Sequence, residues 1–118
     1  MKIDPGFIYK IDKLIEYIGT DEEEIKNMIG IFLNTTPALL IQLNQGIRTE
    51  NFEEIAKSVH KLKPTLDIFG IDSLHEPIRT IESYAKQKKN FHKITELSAL
   101  VNTTLDSVFQ EIKSDYKL

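Results

Sequence analysis

The stretch NFEEIAKSVHKLKPTLDIFG, residues 51–70, is the part of the sequence that decides the predicted fold. Its apolar residues recur at alternating spacings of three and four, which places them along one side of a helix. These seam residues are Phe52, Ile55, Val59, Leu62, Leu66 and Phe69. Asn51 and Glu54 have the spacing of an N-cap and its third helical residue, and Gly70 is a residue type that ends helices. We therefore predict an amphipathic helix that buries one face against other helices.

The rest of the chain repeats at the same helical period, and no segment alternates as a β-strand would. A short helix is predicted near residues 11–18, and Thr20 with Glu23 has the pattern of a capping box that opens a long second helix. Two further helices are predicted after Asp72 and after Asn90. Four long amphipathic helices with short turns predict an all-α, antiparallel up-down-up-down four-helix bundle, with the short N-terminal helix covering one end. We assign the whole chain, residues 1–118, to this single domain.

Composition excludes several classes of function. The net charge is −3, so no strong basic field is present to attract nucleic acid or an anionic membrane. The chain has no cysteine, which excludes disulfides, thiolate nucleophiles and cysteine zinc sites. The first ten residues lack the apolar core of a signal peptide, and the longest aliphatic run, residues 38–41, is far too short to span a membrane. We therefore expect a cytoplasmic protein.

His60 is the candidate functional residue of the third helix. It follows the seam residue Val59, so its side chain is rotated by about 100° from the apolar face. A neutral imidazole is a good nucleophile, and an ammonium group one turn away, on Lys63, would stabilise a phosphoryl group bound to it. The small side chain of Ala56 leaves the imidazole accessible. Position and chemistry alone leave two interpretations open, because an exposed helical histidine is often only a solvated side chain.

The segment His60-Lys61-Leu62-Lys63-Pro64, followed by Gly70, resembles the signature of histidine phosphotransfer (HPt) domains. That signature is His-x-Leu-Lys-Gly with a glycine ten residues after the histidine. Residues 31–40 are similar to the second helix of the family, and residues 51–59 resemble the segment that leads to its active histidine. Ile81-Glu82 resembles a pair often found downstream. The resemblance covers nearly the whole chain.

The resemblance implies a phosphorelay protein. In this family the histidine takes a phosphoryl group from a receiver-domain aspartate and passes it to another receiver. His60 would be the phosphoacceptor, Lys63 its electrostatic partner and Gly70 a structural glycine. The receiver would supply the Mg²⁺ and most of the catalysis, so we expect no metal or other cofactor on this chain. Expected partners are response-regulator receiver domains and a hybrid histidine kinase, and the expected oligomeric state is a monomer.

One position departs from the family pattern, because Pro64 stands where glycine is common. A proline there removes a backbone donor and collides with the carbonyl of the preceding turn, although the apolar seam continues past it. We also expect a receiver to cover exposed parts of the second and third helices. A turn near residue 48 would place residue 60 level with residue 36, and a turn near residue 70 would place it level with residue 80. The expected docking residues are Thr36, Leu40, Ala56, Lys57, Pro64 and Asp67.

Three alternatives remain open from the sequence. The first is the dimerisation and phosphoacceptor helix pair of a histidine kinase, whose motif commonly reads His-Glu-Leu-Arg-Thr-Pro-Leu. Lys61 stands where that motif has an acid, and the proline comes one place early. The second is a plain interaction bundle, or an HPt-like adaptor that binds a receiver without accepting phosphate. The third, a metal enzyme, has little support, because His60, His75 and His92 lie on three different predicted helices or turns. The scattered glycines form no phosphate-binding loop, so we expect a transfer intermediate without an ATP site of its own.

Overall fold

The computed structural model describes residues 8–118 and places five α-helices in this range. They are α1 (Asp12–Ile18), α2 (Glu22–Arg48), α3 (Phe52–Ile68), α4 (His75–Gln87) and α5 (Phe91–Tyr116), with a single 3₁₀ turn at Asp72–Leu74 before α4. The described residues contain no β-strand. None of the helices between residues 8 and 118 is long and apolar enough to cross a membrane.

The four long helices form a closed ring in chain order. Helix α2 packs against α3, α3 against α4, α4 against α5, and α5 returns to α2. Because the connecting turns are short, consecutive helices run antiparallel. The predicted all-α, up-down-up-down bundle is therefore confirmed, with α1 as the short additional helix.

The core is built from the apolar stripes that the sequence predicts. Burying one valine, leucine, isoleucine or phenylalanine side chain contributes about 1.5–3 kcal/mol to folding. The shared core is therefore what holds the amphipathic helices together. Its fully buried members include Leu14, Ile29, Leu43, Ile55, Val59, Leu62, Ile78, Ile81, Ile94, Val101 and Leu105.

Helix α3 begins and continues as its sequence predicts. The Asn51 side chain accepts a hydrogen bond of 3.1 Å from the backbone N–H of Glu54, which confirms Asn51 as the N-cap. The helix runs unbroken through Pro64, whose side chain is on the exposed side while Leu62 and Leu66 are buried in the core. At the start of α2 the prediction is wrong, because the N-cap is Asp21 rather than Thr20 and it makes no side-chain cap.

Two contacts define how α2 and α3 lie side by side. A Cβ atom on Gly46 would lie 2.9 Å from the Ile55 side chain, so the two helices nearly touch there. Further along, the rings of Phe32 and Phe69 stack with centroids 4.3 Å apart. Both pairs place residue 60 near the level of residue 41 of α2, about a turn and a half from the expected residue 36. The expectation failed because α2 extends to Arg48, so the turn is centred later in the chain.

Gly70 ends α3 where the N-terminal segment crosses it. Its φ of +60° lies in the left-handed region, which favours glycine. An added Cβ would lie 3.0 Å from both the backbone nitrogen and the backbone oxygen of Lys10. The Lys10 N–H also donates a hydrogen bond of 2.9 Å to the Phe69 carbonyl. Position 70 therefore requires glycine for two separate reasons, its backbone conformation and the close approach of another segment.

We expect Gly70→Ala to lower the free energy of unfolding by about 2 kcal/mol or more, because alanine would be strained in this conformation and would collide with the Lys10 backbone. Gly30→Ala is the matched control. Gly30 lies inside α2 with nothing within 4 Å of an added Cβ, and alanine there should raise stability by about 0.5–1 kcal/mol. Urea unfolding followed by circular dichroism measures both changes, and effects of the same sign would contradict this account.

Candidate functional site

The candidate site lies where α3 and α4 face each other. The His60 side chain is 66% exposed, and its Nδ1 atom lies 2.8 Å from Oε2 of Glu82 on α4. The first turn after α3 is centred near residue 71, which brings residue 60 close to the level of residue 82. The sequence-based alignment with residue 80 was therefore correct to within about half a turn. His60 thus has one side fixed by the protein and the rest of its ring open to solvent.

Glu82 is a buried carboxylate surrounded by cationic groups. Its side chain is only 7% exposed, and its Oε1 atom lies 2.7 Å from Nζ of Lys63. Nζ of Lys86, one turn further along α4, lies 3.3 Å from Oε2. Burial by itself would raise the pKa of Glu82, but hydrogen bonds from Lys63, His60 and Lys86 outweigh burial and lower the pKa from 4.5 to about 2. The carboxylate is therefore ionised at any physiological pH.

The ionised carboxylate determines which nitrogen of His60 carries the proton. A carboxylate has no proton to donate, so Nδ1 of His60 must donate the hydrogen bond to Glu82. In the neutral imidazole the remaining lone pair then lies on Nε2. No other residue of the described chain bonds to this ring. The arrangement presents Nε2 as a nucleophile at the surface of the bundle.

Cationic side chains surround this nucleophile. Lys63 is 26% exposed and Lys86 is 62% exposed, so both ammonium groups reach Glu82 and also border solvent. Lys57 and Lys61 are exposed on α3, within one turn of His60. Although the chain as a whole carries a net charge of −3, the surface around His60 is locally positive. Such a surface favours a dianionic group or an acidic partner.

Two of the expected docking residues are not on the surface. The Thr36 side chain is 0% exposed and Leu40 is 9% exposed, so the prediction that they contribute to a docking surface is wrong. Thr36 lies four residues after Phe32, and Leu40 lies three before Leu43, so both face the core with the buried stripe of α2, which is the physical reason for the error. The other expected docking residues, Ala56, Lys57, Pro64 and Asp67, are at least partly exposed on α3. Their role in docking stays a prediction.

A second polar cluster lies two turns along α3 from His60. Asp67 accepts a hydrogen bond of 2.9 Å from Arg79, and its other oxygen lies 3.6 Å from Nδ1 of His75. Arg79 also donates to the His75 carbonyl at 3.1 Å. This cluster links the C-terminal half of α3 to the first turns of α4. It therefore supports the same helix pair that carries the candidate site.

Sequence reasoning missed Glu82 as a member of the site. One signal was present, because Glu82 lies four residues after Ile78 and eight after Leu74, on the stripe that α4 buries. An acidic residue on a buried stripe requires charged or hydrogen-bonding partners. Here those partners are His60, Lys63 and Lys86, the other members of the candidate site. Within residues 8–118, no group of three histidines or carboxylates is arranged to hold a metal ion.

Acid titration should reveal Glu82 in the stability of the protein. Its pKa is about 2 in the folded chain and near 4.5 when unfolded, so the stabilisation is complete above pH 4.5 and is lost as pH falls toward 2. The loss amounts to about 3 kcal/mol. Glu82→Gln should remove most of this dependence between pH 4.5 and 2.5, as measured by urea unfolding at each pH. Glu76→Gln, an exposed position on the same helix, is the control. Identical acid profiles for wild type and Glu82→Gln would contradict the ionised-carboxylate assignment.

Comparison with known proteins identifies the family. The Hpt domain family matches residues 27–113, about three quarters of the chain. The matched range contains His60, Lys63, Glu82 and Lys86 and therefore includes the whole candidate site. Searches of curated proteins and of solved structures gave no significant match. The family match, the four-helix bundle and the exposed histidine agree with one another, and the chain belongs to the Hpt domain family.

Proposed function

We propose that this protein relays phosphoryl groups between receiver-domain aspartates through Nε2 of His60. Membership of the Hpt family implies phosphotransfer in a two-component phosphorelay. The observation that carries the residue assignment is the 2.8 Å contact between Nδ1 of His60 and the buried carboxylate of Glu82. That contact orients the ring and leaves the other nitrogen as the nucleophile. His60 is at the same time exposed enough for a receiver to reach it.

The bonds that form and break in the transfer step involve only His60 and the aspartyl phosphate of the receiver, which would hold the metal ion. The lone pair of Nε2 attacks phosphorus of the aspartyl phosphate, the N–P bond forms, and the P–O bond breaks with its electron pair returning to the aspartate. The ring keeps its proton on Nδ1 and becomes an imidazolium that bears a phosphoryl group. Glu82, at 2.8 Å, stabilises this developing positive charge. Transfer to the next receiver reverses the same electron movements.

Lys63 and Lys86 are proposed to stabilise the phosphoryl group electrostatically. Both ammonium groups are held beside His60 by Glu82, at 2.7 and 3.3 Å from its oxygens. Before transfer, the two positive charges of Lys63 and Lys86 exceed the single negative charge of Glu82 by one. The incoming dianionic phosphoryl group offsets that excess. The charge arrangement thus favours the phosphorylated form without a metal ion on this chain.

The proposed partners are receiver domains of response regulators and of a hybrid histidine kinase. We propose that the domain acts in the cytoplasm as a monomer, in which the closed ring of four helices needs no second chain to complete its core. A kinase dimerisation module contributes two helices from each chain, so the single-chain bundle supports phosphotransfer over that alternative. An adaptor that only binds receivers would not need the oriented nucleophile.

His60→Gln should abolish acceptance of phosphate while leaving the helical circular dichroism unchanged, because the side chain is largely exposed. The measurement is incubation with phosphorylated receiver domains, or with phosphoramidate, followed by detection of acid-labile, base-stable phosphate. His92→Gln is the control, since His92 is exposed on α5 and should be labelled like wild type. Labelling of His60→Gln would disprove the assignment of this residue.

Lys63→Ala should slow phosphoryl transfer about tenfold, because one charge-assisted contact near the phosphoryl group is lost. Lys86→Ala should have a smaller effect, since its contact with Glu82 is longer and more exposed. Lys89→Ala removes an exposed cation beyond the end of α4 and serves as the control. Rapid-quench kinetics with a saturating phosphorylated receiver measures the step. Equal rates for Lys63→Ala and Lys89→Ala would remove Lys63 from the mechanism.

A further inference from the structure

A surface pocket lies between α1 and the C-terminal half of α3. Its volume is about 290 Å³, and its lining residues are Lys13, Tyr17, Pro64, Asp67 and Ile68. Tyr17, Pro64 and Ile68 give it apolar walls. Lys13 and Asp67 supply charged groups, and Asp67 is already bonded to Arg79. The pocket can therefore accept an apolar side chain of a partner, with Lys13 and Asp67 available to polar groups around that side chain.

Tyr17 is the feature of this pocket that the fold does not explain. It is 74% exposed, more than any other large hydrophobic residue of the described chain. A single exposed aromatic side chain is unremarkable on its own, but Tyr17 stands beside Pro64, which belongs to the surface next to His60. Aromatic side chains that become buried against a partner are frequent energetic centres of protein interfaces. Tyr17 has the location and exposure for such a role.

The pocket is close enough to His60 to be covered by the same partner. Pro64 lies one turn from His60, about 6 Å along the helix, and Ile68 lies about 12 Å along it. A standard interface buries about 800 Å² on each side, which corresponds to a disc with a radius of about 16 Å. A receiver interface of this size centred on His60 would therefore reach Pro64 and Ile68 of the pocket.

We propose that this pocket is a docking site for an exposed apolar side chain of the receiver that reacts with His60. The inference rests on the proposed function and adds a binding surface to it. Lys13, at the pocket, and Lys57 and Lys61, beside His60, would face the acidic surface that surrounds a receiver's reactive aspartate. Helix α1 lies outside residues 27–113, the range that matches the family. The pocket is thus built partly from a segment outside the family match, and it would select among receivers without contacting the transferred phosphoryl group.

The test compares Tyr17→Ser with two other variants of the full chain. Tyr17→Phe keeps the ring, and Leu100→Ser removes an exposed apolar side chain from α5, which packs against α2 and α4 on the far side of the bundle from α3. The receiver used is the one that wild type phosphorylates fastest in a panel of purified receiver domains. The readouts are KM and kcat for transfer to that receiver, and the rate of labelling by phosphoramidate, which needs no docking surface.

Tyr17→Ser should raise KM for the receiver about tenfold, with kcat and phosphoramidate labelling within twofold of wild type. Tyr17→Phe and Leu100→Ser should both behave as wild type. An unchanged KM in Tyr17→Ser would overturn the docking site while leaving the proposed function intact. A dimer of wild type that Tyr17→Ser converts to a monomer, seen by molar-mass measurement, would also overturn it, because the pocket would then hold a second copy. If wild type is not labelled by phosphoramidate and passes phosphate to no receiver of the panel, the proposed function itself fails.

Discussion

The buried carboxylate of Glu82 is the constraint on which the site depends. A charge with 7% exposure is stable only when it is paired, and its partners come from two helices, His60 and Lys63 on α3 and Lys86 on α4. The pairing therefore fixes the relative position of α3 and α4 at the level of the nucleophile. Removing Glu82 would leave Lys63 and Lys86 without their shared anion and Nδ1 of His60 without its acceptor, which is why the site depends on this one carboxylate.

This arrangement gives His60 the properties that the proposed phosphotransfer needs. Because both helices are packed against a common apolar core, the imidazole is oriented by rigid elements rather than by a loop. The same carboxylate that fixes the tautomer of His60 also holds Lys63 and Lys86 beside the ring. Before any partner binds, Glu82 is therefore placed to stabilise a cationic imidazole ring, and Lys63 and Lys86 are placed to stabilise an anionic phosphoryl group.

Features that arise from periodicity were predictable from the sequence, whereas features that arise from the lateral arrangement of the helices were not. The α3 seam and the N-cap at Asn51 depend on local spacing, and both appear in the structure as expected. Glu82 was missed as a site residue, because an acidic helical residue is usually solvated and its burial depends on what packs against it. The alignment of residue 60 with residue 36 failed for a similar reason. Moving the α2–α3 turn by only a few residues changes which residues lie beside His60, and sequence alone does not fix that turn closely enough.

The position of Pro64 shows how the chemistry and the choice of partner are separated in this fold. Proline costs α3 a backbone hydrogen bond, yet Leu62 and Leu66 anchor the helix on its buried side, so the ring is held on the exposed side. There it stands between the nucleophile one turn before it and the pocket that Tyr17 helps to form. A compact ring at this position leaves space above His60 and provides a rigid apolar wall for the pocket.

Because Glu82 and its cations lie on the α4 side of His60, residues of α1 can change without disturbing the buried charge. On the proposed function, the physical consequence is a transfer site whose reactivity depends on α3 and α4 and whose partner specificity is adjustable through α1.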